Sequence, residues 1–180
     1  MINLAKLMQS RKTALITIGI IAFVILLLST YGAYHYLQKT QSIARVDSAY
    51  IKNDVHLERI DMRQSFLAAQ EQEIDENTVS RDVLDIMIDD ILISRFARTN
   101  SITVTEDEVD ARYEQIISML EDGEIEERIQ ELYGENTSEY RKVLRADILR
   151  DKVQYELGDT PLREWLSERR SEARIDIYKD

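Results

Sequence analysis

The chain of 180 residues has no cysteine, a single proline, five glycines, two histidines and one tryptophan. Without cysteine there is no disulfide framework, no thiol nucleophile and no cysteine-based zinc or redox site. Two histidines far apart in sequence, His35 and His56, leave little material for a metal centre or a nucleophile–histidine pair. Both read as solvated or interfacial side chains. Glycine-rich phosphate cradles are missing, and no stretch carries calcium ligands at alternate positions with glycine at the sixth. A glycosidase-like carboxylate pair would call for aromatic platforms, and Trp165 is already needed in a core pattern. Enzyme chemistry is therefore not expected, nor is any cofactor or metal.

Acidic residues are absent from the first 46 positions, although the whole chain holds 34 of them against 23 lysines and arginines. Four cations, Lys6, Arg11, Lys12 and Lys39, fall in the first 39 residues, so the remainder carries 19 cations and a net charge of −15. Such a surplus of carboxylates argues against nucleic acid as a partner, because a phosphate backbone selects clustered lysine and arginine.

Ala14 to Ala33 contains no charge at all. About 20 apolar residues at 1.5 Å rise match a hydrocarbon core of about 30 Å. Lys6, Arg11 and Lys12 precede the run, and Tyr31, Tyr34 and Tyr36 follow it at interfacial depth. The expectation is a transmembrane helix over residues 14–36 with a cytoplasmic N-terminus, 1–13, and an exported remainder. A cleaved signal peptide, with Thr30-Tyr31-Gly32 as a weak cleavage site, is the alternative; the full spanning length favours an uncleaved signal anchor.

After a linker at 37–43, residues 44–180 form the second domain, expected to be mainly α. Asp47-Ser48 is a turn pair with a β-prone flank on each side, which predicts a short hairpin. Residues 54–73 have helical spacing, with Val55, Leu57, Ile60, Phe66, Leu67 and Ala69 expected along the inner side. Val83, Leu84, Met87, Ile88, Ile91, Leu92 and Phe96 form one wide apolar stripe, and Asp82, Asp85, Asp89 and Asp90 lie off it or at its edge. Thr105-x-x-Glu108 is a capping box that starts a third helix near Glu106, running through Ile116 to Asp122-Gly123. A shorter helix is expected over Glu124 to Tyr133. The helix that follows Asn136-Thr137 has Tyr140, Val143, Leu144, Ile148 and Leu149 inside, and Arg141, Lys142, Arg145 and Arg150 outside as a complement to neighbouring acidic helices. Thr160 and Pro161 are expected at the N-cap and first position of a last helix buried through Leu162, Trp165, Leu166 and Ala173. RIDIY, Arg174 to Tyr178, alternates as a strand does, and its expected partner is the strand at Val46, since a lone strand leaves backbone groups unpaired.

In this order the segments resemble the N-terminal chaperone domain of the SurA, PrsA and PpiD group of extracytoplasmic folding factors. Val83 to Ile116 follows that group's LIDxxLLxxxAxxxGIxVTxxEV pattern at Ile88, Asp89, Leu92, Ala97, Ile102, Val104, Thr105, Glu108 and Val109. Ser101 stands where the family usually has glycine, and Asp47-Ser48 where its opening strand turns on Asn-Gly. The helix Ser138 to Leu157 and the terminal WLSERRSEARIDIY resemble the closing elements. Family members commonly insert a parvulin prolyl-isomerase domain before the last helix, where Gly158-Asp159-Thr160 stands here. The resemblance thus implies a chaperone module without catalysis, a membrane-anchored holdase for unfolded or nascent exported polypeptides. Candidate client contacts are Ile116, Met119, Leu120, Leu132 and Tyr133, which ordinary burial statistics would place in a helix–helix core. The rival reading is a membrane-tethered adaptor docking one envelope or secretion partner, with which a homodimer is compatible.

Overall fold

The computed structural model describes residues 26–27, 29–30, 33, 36–38, 40–72, 75–118 and 138–178. It divides into two compact units, 1–41 and 42–180. In the first unit the described residues up to Thr40 are helical, and the Thr30 hydroxyl donates to the carbonyls of Leu26 and Leu27 one turn back. Among the described residues no helix is long and apolar enough to cross a membrane. Most of the uncharged run, and with it Lys6, Arg11, Lys12, Tyr31 and Tyr34, lies outside them.

The second unit opens with a hairpin, β1 (Ser42–Val46) and β2 (Ala49–Lys52), and continues through α1 (Asn53–Ala69), α2 (Glu76–Thr99), α3 (Glu106–Ser118), α4 (Ser138–Leu157) and α5 (Leu162–Glu172) to β3 (Ile175–Ile177). The strands form an antiparallel sheet in the order β2-β1-β3. Val46 faces Ile175 and Ala44 faces Ile177, so the domain's first and last segments pair as their alternation predicts. Asp47, the first turn residue, has φ 51°, a left-handed conformation that a side chain normally disfavours. Its carboxylate offsets that strain by accepting the backbone N–H of Arg174 at 2.9 Å and by pairing with Arg95.

The core lies between the inner face of this sheet and α2. Ala44 and Val46 are fully covered, and the α2 stripe is buried at Val79, Val83, Leu84, Met87, Ile88, Leu92, Ile93 and Ala97. Ile91 and Phe96 pack partly buried beside it. The helix is capped by Asp75, which accepts from the Thr78 N–H at 2.9 Å. It ends in a Schellman motif, where the N–H of Ile102 reaches the carbonyl of Ala97 at 2.8 Å and that of Ser101 reaches Arg98 at 3.4 Å. The motif requires a left-handed residue, and Ser101 supplies it at φ 57°, at the position where the resembled pattern has glycine.

Four expectations need correction. The inner stripe of α1 is His56, Ile60 and Leu67, whereas Val55, Leu57 and Phe66 are exposed, Leu57 by 51%. At ~100° per residue, Ile60 and Leu67 fall within ~40° of His56, while Val55, Leu57 and Phe66 fall ~80–100° to either side. His56 is accordingly 2% exposed rather than solvated, and its Nε2 lies 3.0 Å from the Ser80 carbonyl. On α4, Val143 is exposed and Val153 is buried in its place. The last helix starts at Leu162, with Pro161 in extended backbone at the cap position and no side-chain cap from Thr160. Gln154 does that work instead: its Oε1 accepts the Leu162 N–H at 2.7 Å, and its Nε2 donates to the carbonyls of Gly158 and Thr160.

Candidate functional site

Above the main core, α3 and the first half of α4 form an arm with a small core of their own. Val109, Leu144 and Ile148 are buried there, with Val104, Tyr113, Ile116 and Tyr140 packed against them. The Tyr113 and Tyr140 rings meet edge to face at 6.1 Å. Charge fixes the arm's direction. The capping box forms as expected, the Glu108 carboxylate accepting the Thr105 N–H at 2.8 Å and the Thr105 hydroxyl accepting the Glu108 N–H at 3.3 Å. Lys152 pairs with Glu108 at 2.5 Å and also donates to the Thr103 carbonyl at 2.7 Å. Arg141 pairs with Asp110, Arg145 with Glu106, and Arg112 with Asp151 at 2.8 Å. The cation-rich face of α4 is thus the complement of the acidic start of α3, as its sequence suggests. Lys152, and then the Thr105 N–H, hold the Glu108 carboxyl below the usual range.

The acidic edge of α2 ties the other helices to it. Asp90 receives Arg59 of α1 at 2.8 Å and Arg150 of α4 at 2.6 Å, while Asp85 and Asp89 both receive Arg170 of α5 at 2.7 Å. Partly exposed pairs of this kind contribute modestly to stability, so their main effect is to set helix directions.

Two clefts result. The first, about 450 Å³, lies where the arm meets the body; Ile102 and Ile148 line it together with Tyr155, Arg112, Asp151, Lys152 and Glu156. Its origin is geometric. Leu144, Ile148 and Tyr155 lie within ~40° of one another on α4. Leu144 and Ile148 are buried in the arm's core, whereas Tyr155, farther along the same stripe, is 88% exposed. The second cleft, about 480 Å³, opens between the C-terminal half of α2, α5 and the hairpin turn. Leu92, Phe96 and Trp165 line it, flanked by the Arg95 and Asp47 pair and the Arg169 and Glu172 pair. Phe96 meets Trp165 edge to face at 5.1 Å.

Compared with known families, residues 1–154 match the one described as SurA-like N-terminal domain. The chain belongs to that family. No curated protein matches it. The match covers β1 and most of α4 but stops short of α5 and β3. In this SurA-like domain the strand that closes the sheet is therefore contributed from beyond the matched span.

Of the candidate client contacts, Ile116 is partly buried in the arm's own core. Met119, Leu120, Leu132 and Tyr133, like the expected helix 124–133, lie outside the described residues. Tyr36, from the membrane-orienting set, is described and exposed. Sequence reasoning passed over both clefts. Tyr155 carried a signal, since it stands eleven positions after Leu144 on one helical stripe. Among the described residues no group of three or more histidines and carboxylates could hold a metal ion.

Proposed function

We infer that this SurA-like chain is a membrane-anchored extracytoplasmic chaperone, a holdase that binds unfolded exported polypeptides without catalysis and without ATP. The observation that carries the reading is the cleft at the base of the arm, where the apolar stripe of α4 continues into Tyr155 past the residues that bury it. An apolar side chain of an unfolded client would complete that stripe as α3 completes it at Leu144. Tyrosine suits such use, because it supplies a large, stiff and amphipathic contact at low entropic cost. The charged rim of Arg112, Asp151, Lys152 and Glu156 keeps the surface soluble when empty and the contact reversible. Net charge of −15 over residues 40–180 limits self-association. The uncharged run from Ala14 to Ala33, preceded only by cations, supports the anchor and its orientation.

The test is aggregation of chemically denatured citrate synthase on dilution, followed by light scattering, with the full chain in mild detergent. Suppression rising with chaperone concentration is expected. No protection at several-fold excess removes the holdase reading and leaves the single-partner adaptor, which crosslinking in cells would reveal as one dominant adduct.

A further inference from the structure

Among the described residues nothing pairs with the outer edge of β3. Asp47 donates its N–H to the Arg174 carbonyl at 2.7 Å, and Tyr178 donates to the Ile43 carbonyl at 2.7 Å. With Arg45 opposite Asp176, these fix the alternation of the β1 and β3 ladder: residues 174, 176 and 178 turn their backbone groups toward β1. Ile175 and Ile177 sit in the intervening non-hydrogen-bonded positions, so their N–H and C=O groups point away from β1 and meet no partner among the described residues. Ile177 is 53% exposed beside that edge. Ala173, two residues before Ile175, is part of the wall of the Phe96 and Trp165 cleft, so the edge begins at the cleft's mouth.

We propose that the outer edge of β3 is a second client site, which takes an extended polypeptide segment as a fourth strand with a large apolar side chain lodged in the adjoining cleft. It rests on the holdase reading and adds a mode of binding to it. Main-chain hydrogen bonding to Ile175 and Ile177 makes the site tolerant of sequence, while the cleft and the alternating faces impose a preference. On the core-facing side the added strand lies beside Ile177 and favours apolar residues. On the other side it lies beside Asp176, which already pairs with Arg45 and Arg174, and favours threonine, while the domain's net charge of −15 favours lysine over acidic residues.

Crowding and charge decide against a second copy as the occupant. Two-fold pairing through Ile175 and Ile177 centres on Asp176 and sets it, together with its Arg45 and Arg174 partners, opposite its own copy at ~4.5 Å between Cα atoms, so this contact is crowded rather than a bare charge repulsion. It also brings together two domains of net −15 each. A client strand with basic residues at alternate positions meets no such repulsion from a domain of net −15.

The experiment is amide hydrogen exchange, read by NMR on the full chain in mild detergent, with a short capped peptide alternating valine with lysine and threonine and carrying one phenylalanine near an end. Saturating peptide is expected to slow exchange at Ile175 and Ile177 by at least about tenfold, in the manner of newly paired strand amides. The same peptide N-methylated at alternate residues, which keeps its side chains but cannot pair, is expected to give no protection. Ile177→Pro removes an N–H that points away from β1, so it is expected to abolish peptide protection at Ile175 while the β1 ladder stays intact. Equal binding of the N-methylated peptide overturns the proposal. So does protection that appears without peptide and grows with protein concentration, which assigns the edge to a second copy. Aggregation suppression measured on the same preparation separates the two readings: suppression without protection at Ile175 and Ile177 overturns the edge site alone, and absence of both overturns the holdase as well.

Discussion

The carboxylate of Asp47 accepts the backbone N–H of Arg174 at 2.9 Å across 127 residues of sequence, so the turn of the first hairpin holds the start of the last strand. The same carboxylate pairs with Arg95 near the end of α2. Asp47→Ala is expected to lower stability by about 1–2 kcal/mol, below the ~1.5–3 kcal/mol of a buried charge-assisted bond because the side chain is 37% exposed. Urea denaturation checks it: the midpoint should fall with the slope unchanged. Asp47→Gly should cost less, since glycine relieves the left-handed turn while losing the same bonds.

Acid should loosen these ties. The Asp47 carboxyl is held below the usual range by the Arg174 N–H and then Arg95, Asp176 by Arg45, Asp75 by Thr78, and Glu108 by Lys152 and then the Thr105 N–H. Each folded-state pKa lies below its unfolded value, so the folded state binds fewer protons. Its contribution is complete above about pH 5 and is lost as pH falls through the depressed values, below about pH 4. The melting temperature should be level between about pH 6 and 8 and decline steadily below about pH 4.5. A melting temperature unchanged down to about pH 3 would show that these carboxylates do not contribute.

Ser101→Gly should stabilise the domain. Serine at φ 57° carries a left-handed cost of ~1–2 kcal/mol, and glycine adds ~0.4–1 kcal/mol of unfolded-chain entropy in return. The expected net gain is about 0.5–1 kcal/mol, seen as a higher urea midpoint. Glu71, at φ 55° in the matching motif at the end of α1, should respond the same way.

Tyr155→Ser should separate binding from folding. With 88% of the residue exposed, its loss should change stability by no more than about 0.5 kcal/mol. Suppression of citrate synthase aggregation should nevertheless fall several-fold. Leu144→Ala, on the same stripe but buried in the arm, should instead cost about 2–4 kcal/mol in thermal unfolding.

Local chemistry made much of this legible in the sequence. The alternation of Ile175 and Ile177, the Thr105 capping box and the α2 stripe each announce their structure because the signal is carried by neighbouring residues. The face of α1 does not follow apolarity alone, because a histidine that bonds the Ser80 carbonyl is as well satisfied inside as an isoleucine. Gln154 has no local signature in the sequence, because its three bonds connect the end of one helix to the start of another. The clefts are a matter of where one element stops covering the next, which depends on helix placement in three dimensions. The family pattern conveyed Ser101 as a departure from glycine, and the left-handed φ explains what glycine does there.

The pairing of β1 with β3 also sets a timetable. Val46 is fully buried, and its neighbour on one side is Ile175. As the chain emerges in order during synthesis, the hairpin, α1 and α2 can assemble early, but β1 keeps one edge unpaired until Ile177 has appeared. Closing so long a loop costs only slowly growing entropy, yet such a distant contact delays completion of the fold. Until then the nascent domain exposes a bare strand edge of the kind proposed for its clients, so the arrival of β3 is the step that closes it.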